Sequence, residues 1–479
     1  MPLVVVANAN AASSAANTRA DAVDTTVFVM VLLGLAWVPL WLGSNRMMAW
    51  GINGIFFAGL LIVYEGSRLL QSREPAVLAA KVGIPLVLFA CVLAWIVVQM
   101  SPYVPAPLIH PIWPLASQTL TRPLPGSISV NTGASALGLI RLLTDASVFW
   151  LSLQLCRQPW RAIWLLHAIS AIVACYAALA LVLTAFFASA IPYLDGPAAG
   201  LVRSTFVNRN TFAAYCGMGA IASLTLILRT YRKQVSQRGE AGPYGPAFLL
   251  QIVTASGWFL IGSGLIAVVT LLATGSRGGV LASAIGLLGV FFLSNVRRHG
   301  TLVQRLGPLV VVGLVLAGVV ALLGGTFLDR IAASGLADTS RMAVDQIMVR
   351  SILDAPLSGL GYNTFADVFP LYRDQSISTT GVWDKAHNTY LEVWQGLGLV
   401  FGSALIGTLI WLVGLCVLGA LRRRRSTAAT ICASGIGLLV GVHALVDFSV
   451  QIQAVSVTFM AVLGAGVAQS TSSQTQSPT

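Results

Sequence analysis

Three basic residues stand in short polar runs that could do chemistry: Arg209 in VNRN, Arg277 in TGSRGG and His387 in KAHN. A guanidinium group offers fixed, forked N–H donors that match the oxygens of a phosphate. A histidine near neutral pH can accept a proton from a hydroxyl group. The two arginines therefore indicate an anion site, and His387 is a candidate general base.

Each of these residues also permits a simpler interpretation. An arginine at a membrane surface commonly reaches for water or for lipid phosphate, and a lone histidine at a helix start is commonly structural. Two further pairs lie four residues apart, Arg141 with Asp145 and His443 with Asp447. Such pairs form ion pairs or polar packing contacts, although charges at membrane depth are often functional.

Several familiar signals are missing from the sequence. The run around Arg277 lacks the GxxxxGK[ST] pattern of a phosphate-binding loop, and neither HExxH nor a dense group of His, Cys and carboxylate residues occurs. The six cysteines are scattered through apolar runs without a CxxC pair, which favours neither disulfides nor zinc. We therefore predict no metal and no cofactor.

The composition indicates the class of protein that positions these residues. Of the 479 residues 56% are hydrophobic and only 9% are charged, whereas soluble proteins carry about 25% charged residues. Unbroken apolar runs of about 20 residues predict an all-α integral membrane protein rather than a β-barrel. Twelve spans are predicted, near residues 27–43, 47–64, 77–100, 136–156, 161–190, 208–228, 247–274, 278–294, 306–325, 388–420, 428–446 and 450–468.

The net charge of +12 predicts orientation rather than nucleic-acid binding, because the basic residues concentrate in alternate short loops between the spans. These residues are Arg68, Arg73, Lys81, Arg157, Arg161, Arg229, Arg232, Lys233, Arg238, Arg297, Arg298, Arg305 and Arg422 to Arg425. The positive-inside rule places them, and both termini, in the cytoplasm. Arg209, Arg277 and His387 then lie together at the opposite, outer level.

The chain is predicted to divide into five parts. Residues 1–26 form a disordered cytoplasmic leader, 27–325 hold spans one to nine, 326–386 form a periplasmic loop, 387–468 hold spans ten to twelve, and 469–479 form a disordered tail. Within the second part, the proline-rich stretch 101–135 is predicted to be extended at the membrane interface. In the loop, Thr339 or Ser340 could cap a helix to about Leu353 with one apolar face, formed by Val344, Met348 and Ile352.

Four motifs, in this order on this topology, resemble the superfamily of O-antigen ligases and of O-antigen and exopolysaccharide polymerases. They are VNRNTFA from Val207, TGSRGG from Thr274, PLSGLGYNTF from Pro356 with AHNTYLE from Ala386, and HALVDFS from His443. The resemblance covers about residues 200–470. The N-terminal half matches the family only as a set of spans.

The resemblance implies a glycosyltransferase of the bacterial inner membrane that acts without nucleotide sugar or metal. Its donor would be a glycan on undecaprenyl pyrophosphate, and its acceptor lipid A-core or another glycan, so the resemblance leaves ligase and polymerase open. Arg209 and Arg277 would bind the pyrophosphate, and His387 would be catalytic in an inverting transfer. Further candidates to support them are the neighbouring or loop residues Asn208, Asn210, Arg203, Arg341 and Asn388.

A protein of another class, a transporter or a lipid flippase, would also have many spans and few charges. Such proteins commonly place polar or broken helices near the bilayer midplane and often have repeated halves. Here the candidate groups are predicted to lie at one face, and no fixed repeat is apparent. Membrane lipids are expected partners in either case, and nucleic acid is not.

Overall fold

The computed structural model describes residues 2–187, 202–238, 257–296, 339–377, 382–423 and 427–471. Over these ranges the chain folds into helices, without a strand. In chain order the α-helices are α1 Pro2–Trp37, α2 Met47–Leu70, α3 Gly83–Met100, α4 Ile112–Thr119, α5 Thr132–Leu155, α6 Pro159–Phe186, α7 Arg209–Arg238, α8 Trp258–Ala273, α9 Arg277–Asn295, α10 Thr339–Asp354, α11 Phe365–Tyr372, α12 Thr389–Arg422, α13 Ala428–His443 and α14 Gln453–Ser470.

The predicted fold class, an all-α membrane protein, is confirmed. Nine helices in the described ranges are long and apolar enough to cross a membrane, and α8 and α13 are shorter apolar helices. The count of twelve spans is not confirmed. The predicted ninth span, 306–325, lies outside the described residues, as does the start of the predicted seventh.

Side-chain caps fix the starts of three helices. The side-chain oxygens of Asn131, Ser276 and Asn388 accept backbone N–H groups of α5, α9 and α12. Each cap satisfies an N–H group that the helix itself leaves without an acceptor, which matters most in an apolar environment. The starts of α9 and α12, which lie next to Arg277 and His387, are therefore set by their own sequence.

Helices α7 and α14 form the centre of the bundle, since 89% and 94% of their apolar windows are buried. Helix α14 packs on α5 and α13, and α7 packs on α6, α8 and α9. The contact between α9 and α13 depends on small residues. A Cβ atom on Gly286 would lie 2.7 Å from the Gly435 carbonyl oxygen, so the two backbones approach more closely than larger residues would allow.

Helix α12 is interrupted at Gly398, where φ is +75°. The backbone groups released by this break bind the loop segment 356–361: Leu399 N–H donates to the Pro356 carbonyl at 2.7 Å, and Leu360 N–H donates to the Gln395 carbonyl at 2.9 Å. The buried amide of Gln99, in α3, donates to the Gly396 carbonyl at 2.8 Å. The first turns of α12 are thereby attached to the loop, while residues 399–422 are still long enough to cross the membrane.

The predicted loop helix is confirmed as α10, Thr339–Asp354. Its face formed by Val344, Met348 and Ile352 is buried, and Val344 and Met348 belong to one apolar cluster with Phe365 and Phe369 of α11. Burial of this face explains why the helix forms in an otherwise polar loop.

The proline-rich stretch differs from the prediction of an extended segment. Residues Ile112–Thr119 form α4, and α5 begins at Thr132 rather than at 136. Pro111 precedes the first turn of α4 and Pro114 lies within that turn, where a missing N–H removes no intrahelical bond.

The predicted disordered leader 1–26 also differs, because α1 already begins at Pro2. Its acidic residues explain the order near the first span: Asp21 pairs with Arg161 of α6 at 2.8 Å, and Asp24 pairs with Arg73 at 3.2 Å. The part of α1 that is long and apolar enough to cross a membrane is Ala20–Trp37. The other predicted divisions of the chain remain predictions.

Candidate active site

Arg209 and His387 line the same cavity, which has a volume of about 270 Å³ and opens to the surface. They are brought together from the first residue of α7 and from the loop before α12. The cavity is lined by Leu42, Asn45, Phe206, Val207, Asn208, Arg209, Thr211, Asp384, His387, Phe448 and Ile452. A cation, a histidine, amides and apolar side chains therefore meet in one open space.

The backbone around His387 is held in an unusual conformation. Its φ of +58° lies in the left-handed region, which few residues other than glycine adopt. The buried Glu392 accepts the Ala386 N–H at 3.0 Å and pairs with Lys385 at 3.3 Å, and Asn388 caps α12 on the other side. Because both neighbours of His387 are anchored, the turn presents its imidazole to the cavity.

Aromatic rings restrict the imidazole of His387. The ring of Phe448 lies 4.8 Å from it between centroids and that of Trp383 lies 5.6 Å away, both close to perpendicular. Such edge-to-face contacts limit rotation of the ring. The His387 side chain is 22% exposed, so the part of the ring that the aromatic residues leave uncovered is accessible from the cavity.

Asp447 is the acidic partner of His387. Its Oδ2 lies 3.5 Å from His387 Nδ1, a long hydrogen bond, and 2.8 Å from Asn210 Nδ2, while Oδ1 accepts the Phe448 N–H and the Ser449 hydroxyl. Arg341 Nη2 approaches Oδ2 to 3.8 Å. A carboxylate at Nδ1 favours the tautomer with Nδ1–H, which leaves Nε2 free to accept a proton.

The charge on Asp447 is maintained despite its burial. Burial acts to raise its pKa, but the hydrogen bond from His387 and the charges of His443, His387 and Arg341 outweigh burial and hold the pKa at about 2. Because the pKa is lowered, the carboxylate is ionised at every pH well above 2. Its interaction with His387 is therefore that of a permanent anion.

Helix α10 adds two side chains one turn apart, Arg341 and Asp345. Besides approaching Asp447, Arg341 donates to the Val446 carbonyl at 2.6 Å. Burial raises the pKa of Asp345, while a hydrogen bond with Asn388 and the charges of Arg341 and His387 act against it. The loop therefore supplies charged groups next to His387.

Arg277 lies beside this cluster but does not line the cavity. It is the first residue of α9, and a Cβ atom built on the next residue, Gly278, would lie 3.5 Å from the His443 ring and 3.0 Å from Val446. The start of α9 thus contacts the segment that carries Asp447. Arg209, Arg277 and His387 are gathered at one end of the bundle.

The five predicted supporting residues occupy different places. Asn208 lines the cavity and accepts the Asn210 N–H, Asn210 binds Asp447, and Asn388 caps α12. Arg341 approaches Asp447, as described above. Arg203 is buried and donates to the Val207 carbonyl at 3.1 Å, so it supports the backbone before Arg209 without lining the cavity.

Sequence reasoning missed the contributions of Asp345 and Asp384, and it did not connect Asp447 with His387. Asp447 was noticed only for its spacing from His443, yet its side-chain partners come from the start of α7, from α10 and from the loop before α12. Apart from the adjacent Phe448 and Ser449, these partners are 60 to 237 residues away in the sequence, so local spacing could not have shown the arrangement.

Two comparisons with known proteins bear on the family. Residues 262–406 match the family described as O-antigen ligase. This stretch includes Arg277 and His387 but not Arg209. A search of curated proteins gave no match. The family match over this part of the chain, together with the ordered motifs and the helical membrane fold, supports a relationship to the O-antigen ligase superfamily.

Proposed function

We propose that this protein transfers a glycan from undecaprenyl pyrophosphate to an acceptor hydroxyl at the periplasmic face of the bacterial inner membrane. The observation that carries the proposal is the cavity shared by Arg209 and His387, with Asp447 behind the histidine. A phosphate-binding cation and an oriented base in one open space suit the transfer of a sugar from a phosphate to a hydroxyl.

The donor pyrophosphate would bind at Arg209, with Arg277 at the neighbouring helix start. Both arginines lie in the first turn of a helix, where exposed N–H groups and the helix dipole favour an anion. Binding neutralises the charge of the pyrophosphate, which makes it a better leaving group. The apolar residues of the cavity, such as Phe206 and Ile452, are compatible with the lipid end of this donor.

His387 would remove the proton of the attacking hydroxyl. The acceptor oxygen forms a bond to the anomeric carbon, the bond from that carbon to the pyrophosphate oxygen breaks, and undecaprenyl pyrophosphate leaves with the electron pair. The proton passes to Nε2, because Nδ1 faces Asp447. A single displacement of this kind inverts the anomeric configuration, and general-base catalysis typically contributes about 100- to 10,000-fold.

The orientation is supported by the placement of basic residues relative to the cavity. Helix α12 begins at the candidate site and ends at Arg422, and α2 ends at the opposite side with Arg68 in its last turn. By the positive-inside rule, the basic end faces the cytoplasm and the cavity faces the periplasm.

Lipid A-core is our preferred acceptor, as in an O-antigen ligase, and a second glycan chain, as in a polymerase, is the alternative. Deletion of the gene followed by gel analysis of surface glycans tests the proposal. Loss of glycan attached to lipid A-core indicates a ligase, whereas single repeats on lipid A-core or the loss of a free polysaccharide indicates a polymerase. Unchanged surface glycans would contradict both assignments.

A further inference from the structure

The cavity carries opposite charges on two different elements. Arg209 belongs to the start of α7, whereas Asp384 belongs to the loop before α12, three residues from His387. Among the described residues that line the cavity, Asp384 is the only carboxylate. The wall of the cavity therefore carries both a cation and a carboxylate, which favour different chemical groups.

Asp384 is available to a ligand. Its side chain is exposed, and within the described part of the chain it has neither an ion pair nor a hydrogen bond. The adjacent Lys385 does not neutralise it, because that ammonium group is 3.3 Å from Glu392. The structure thus places a carboxyl group that can accept hydrogen bonds at the cavity wall, and no described contact assigns it a structural role.

The chemistry of a carboxylate restricts its ligand. Two carboxylate oxygens accept hydrogen bonds from hydroxyl groups, but they repel phosphate and other carboxylates. Asn45, on another loop of the same cavity, adds an amide that can donate and accept, and Phe206 and Phe448 add apolar surface. A few polar groups among aromatic ones form a suitable site for a neutral, hydroxyl-bearing sugar.

We propose that Asp384 binds hydroxyl groups of the acceptor sugar and selects acceptors whose reacting sugar is neutral. The proposal rests on the proposed function, in which His387 takes the proton of the acceptor. The acceptor hydroxyl must then lie within hydrogen-bonding reach of His387, on the side of the loop that also carries Asp384. The pyrophosphate of the donor is assigned to Arg209, because a carboxylate repels phosphate.

The test uses the full-length protein in lipid nanodiscs, with undecaprenyl-pyrophosphate-linked glycan as donor. Lipid A-core and a free oligosaccharide of the donor repeat are the two acceptors. In Asp384→Ala the KM for the acceptor should rise about 10- to 100-fold, which is the usual effect of losing hydrogen bonds to a charged group. The Asp384→Asn variant should lie between the wild type and Asp384→Ala, and the KM for the donor should not change in either variant.

Asp374→Asn is the matched control, since Asp374 belongs to the same loop but pairs with Arg350 and does not line the cavity. It should behave as the wild type. An uncharged acceptor should be preferred over one whose reacting sugar is a uronic acid, and Asp384→Asn should reduce that preference.

Three results would overturn the assignment. An unchanged KM for the acceptor in Asp384→Ala would exclude contact with the acceptor, and a raised KM for the donor alone would move the residue to the donor side. A shifted pH profile of kcat with unchanged KM values would mean that Asp384 acts on His387 and not on the substrate. If the wild type transfers glycan to neither acceptor, the proposed function itself fails, and this assignment fails with it.

Discussion

Two clusters of charged residues in this bundle have similar composition but different surroundings. In the first, His387 faces an open cavity while its Nδ1 points to the buried Asp447. In the second, Arg141 donates to Asn363 at 3.1 Å and lies 4.7 Å over the Trp50 ring, and Asp145 accepts from Ser456 at 2.9 Å.

This difference distinguishes residues that could take part in catalysis from residues that hold the helices together. Each described contact of Arg141 and Asp145 joins α5 to another element, namely α2, α14 or the loop after α10. Their expected pairing with each other is replaced by these separate partners. A charge in an apolar bundle is thus not by itself a sign of catalysis, and the distinguishing feature of the first cluster is a functional group that remains accessible.

The largest expected effect is at His387. If it is the general base, His387→Ala should lower turnover by at least about 100-fold. Binding of the donor should persist, because the arginines remain, and it can be measured with undecaprenyl pyrophosphate. Near-normal turnover in this variant would exclude the assignment as base.

Substitution of Arg209 or Arg277 should have the next largest effect on activity. A lysine keeps the charge but loses the forked geometry, so Arg209→Lys and Arg277→Lys should each raise the KM for the donor by about 10-fold or more. Arg422→Lys, at the opposite end of α12, is the matched control. Full activity of both variants would mean that Arg209 and Arg277 only anchor the protein at the interface.

Asp447 should have a smaller effect on turnover, because it acts through His387. Asp447→Asn removes the permanent anion at Nδ1, and we expect kcat to fall about 10- to 100-fold, the usual range for one lost charged hydrogen bond. Since the pKa of Asp447 is about 2, protonation of this carboxylate cannot explain any loss of wild-type activity between pH 5 and pH 8. An unchanged pH profile of kcat in the variant would contradict a role in orienting the histidine.

The second cluster should have the smallest effect on catalysis. Arg141→Met and Asp145→Asn should leave both KM values and kcat close to the wild type, because the two side chains contact α2, α14 and the loop after α10 and do not line the cavity. Each should lower the stability of the bundle by about 1–3 kcal/mol, measurable as a lower Tm in detergent. A selective loss of kcat at normal stability would remove the distinction between the two clusters.

The sequence predicted what depends on local chemistry. Apolar runs predicted the helical membrane fold, whereas the side-chain caps at Ser276 and Asn388 were recognised only in the structure. The apolar spacing in the loop predicted α10 and its buried face, formed by Val344, Met348 and Ile352. These features follow from periodicity and capping, which act over a few residues.

What the sequence could not predict depends on contacts between distant residues. The interruption of α12 at Gly398 is stable only because the segment 356–361 binds the released backbone groups. The ion pairs of Asp21 and Asp24 in α1 depend on Arg161 and Arg73, which are distant in the sequence. The partners of Asp447, from α10 and from the starts of two other helices, meet only after the bundle has formed.

The most direct test of the account is a transfer reaction with purified protein in nanodiscs, without nucleotide, metal or ion gradient. Undecaprenyl-pyrophosphate-linked glycan and lipid A-core are supplied, and the anomeric configuration of the product is determined. We predict a glycosidic product with inverted configuration, formed by the wild type and abolished in His387→Ala. Retained configuration, or equal product from the His387→Ala variant, would contradict the mechanism, and movement of lipid-linked glycan across the bilayer without any glycosidic product would indicate a transporter.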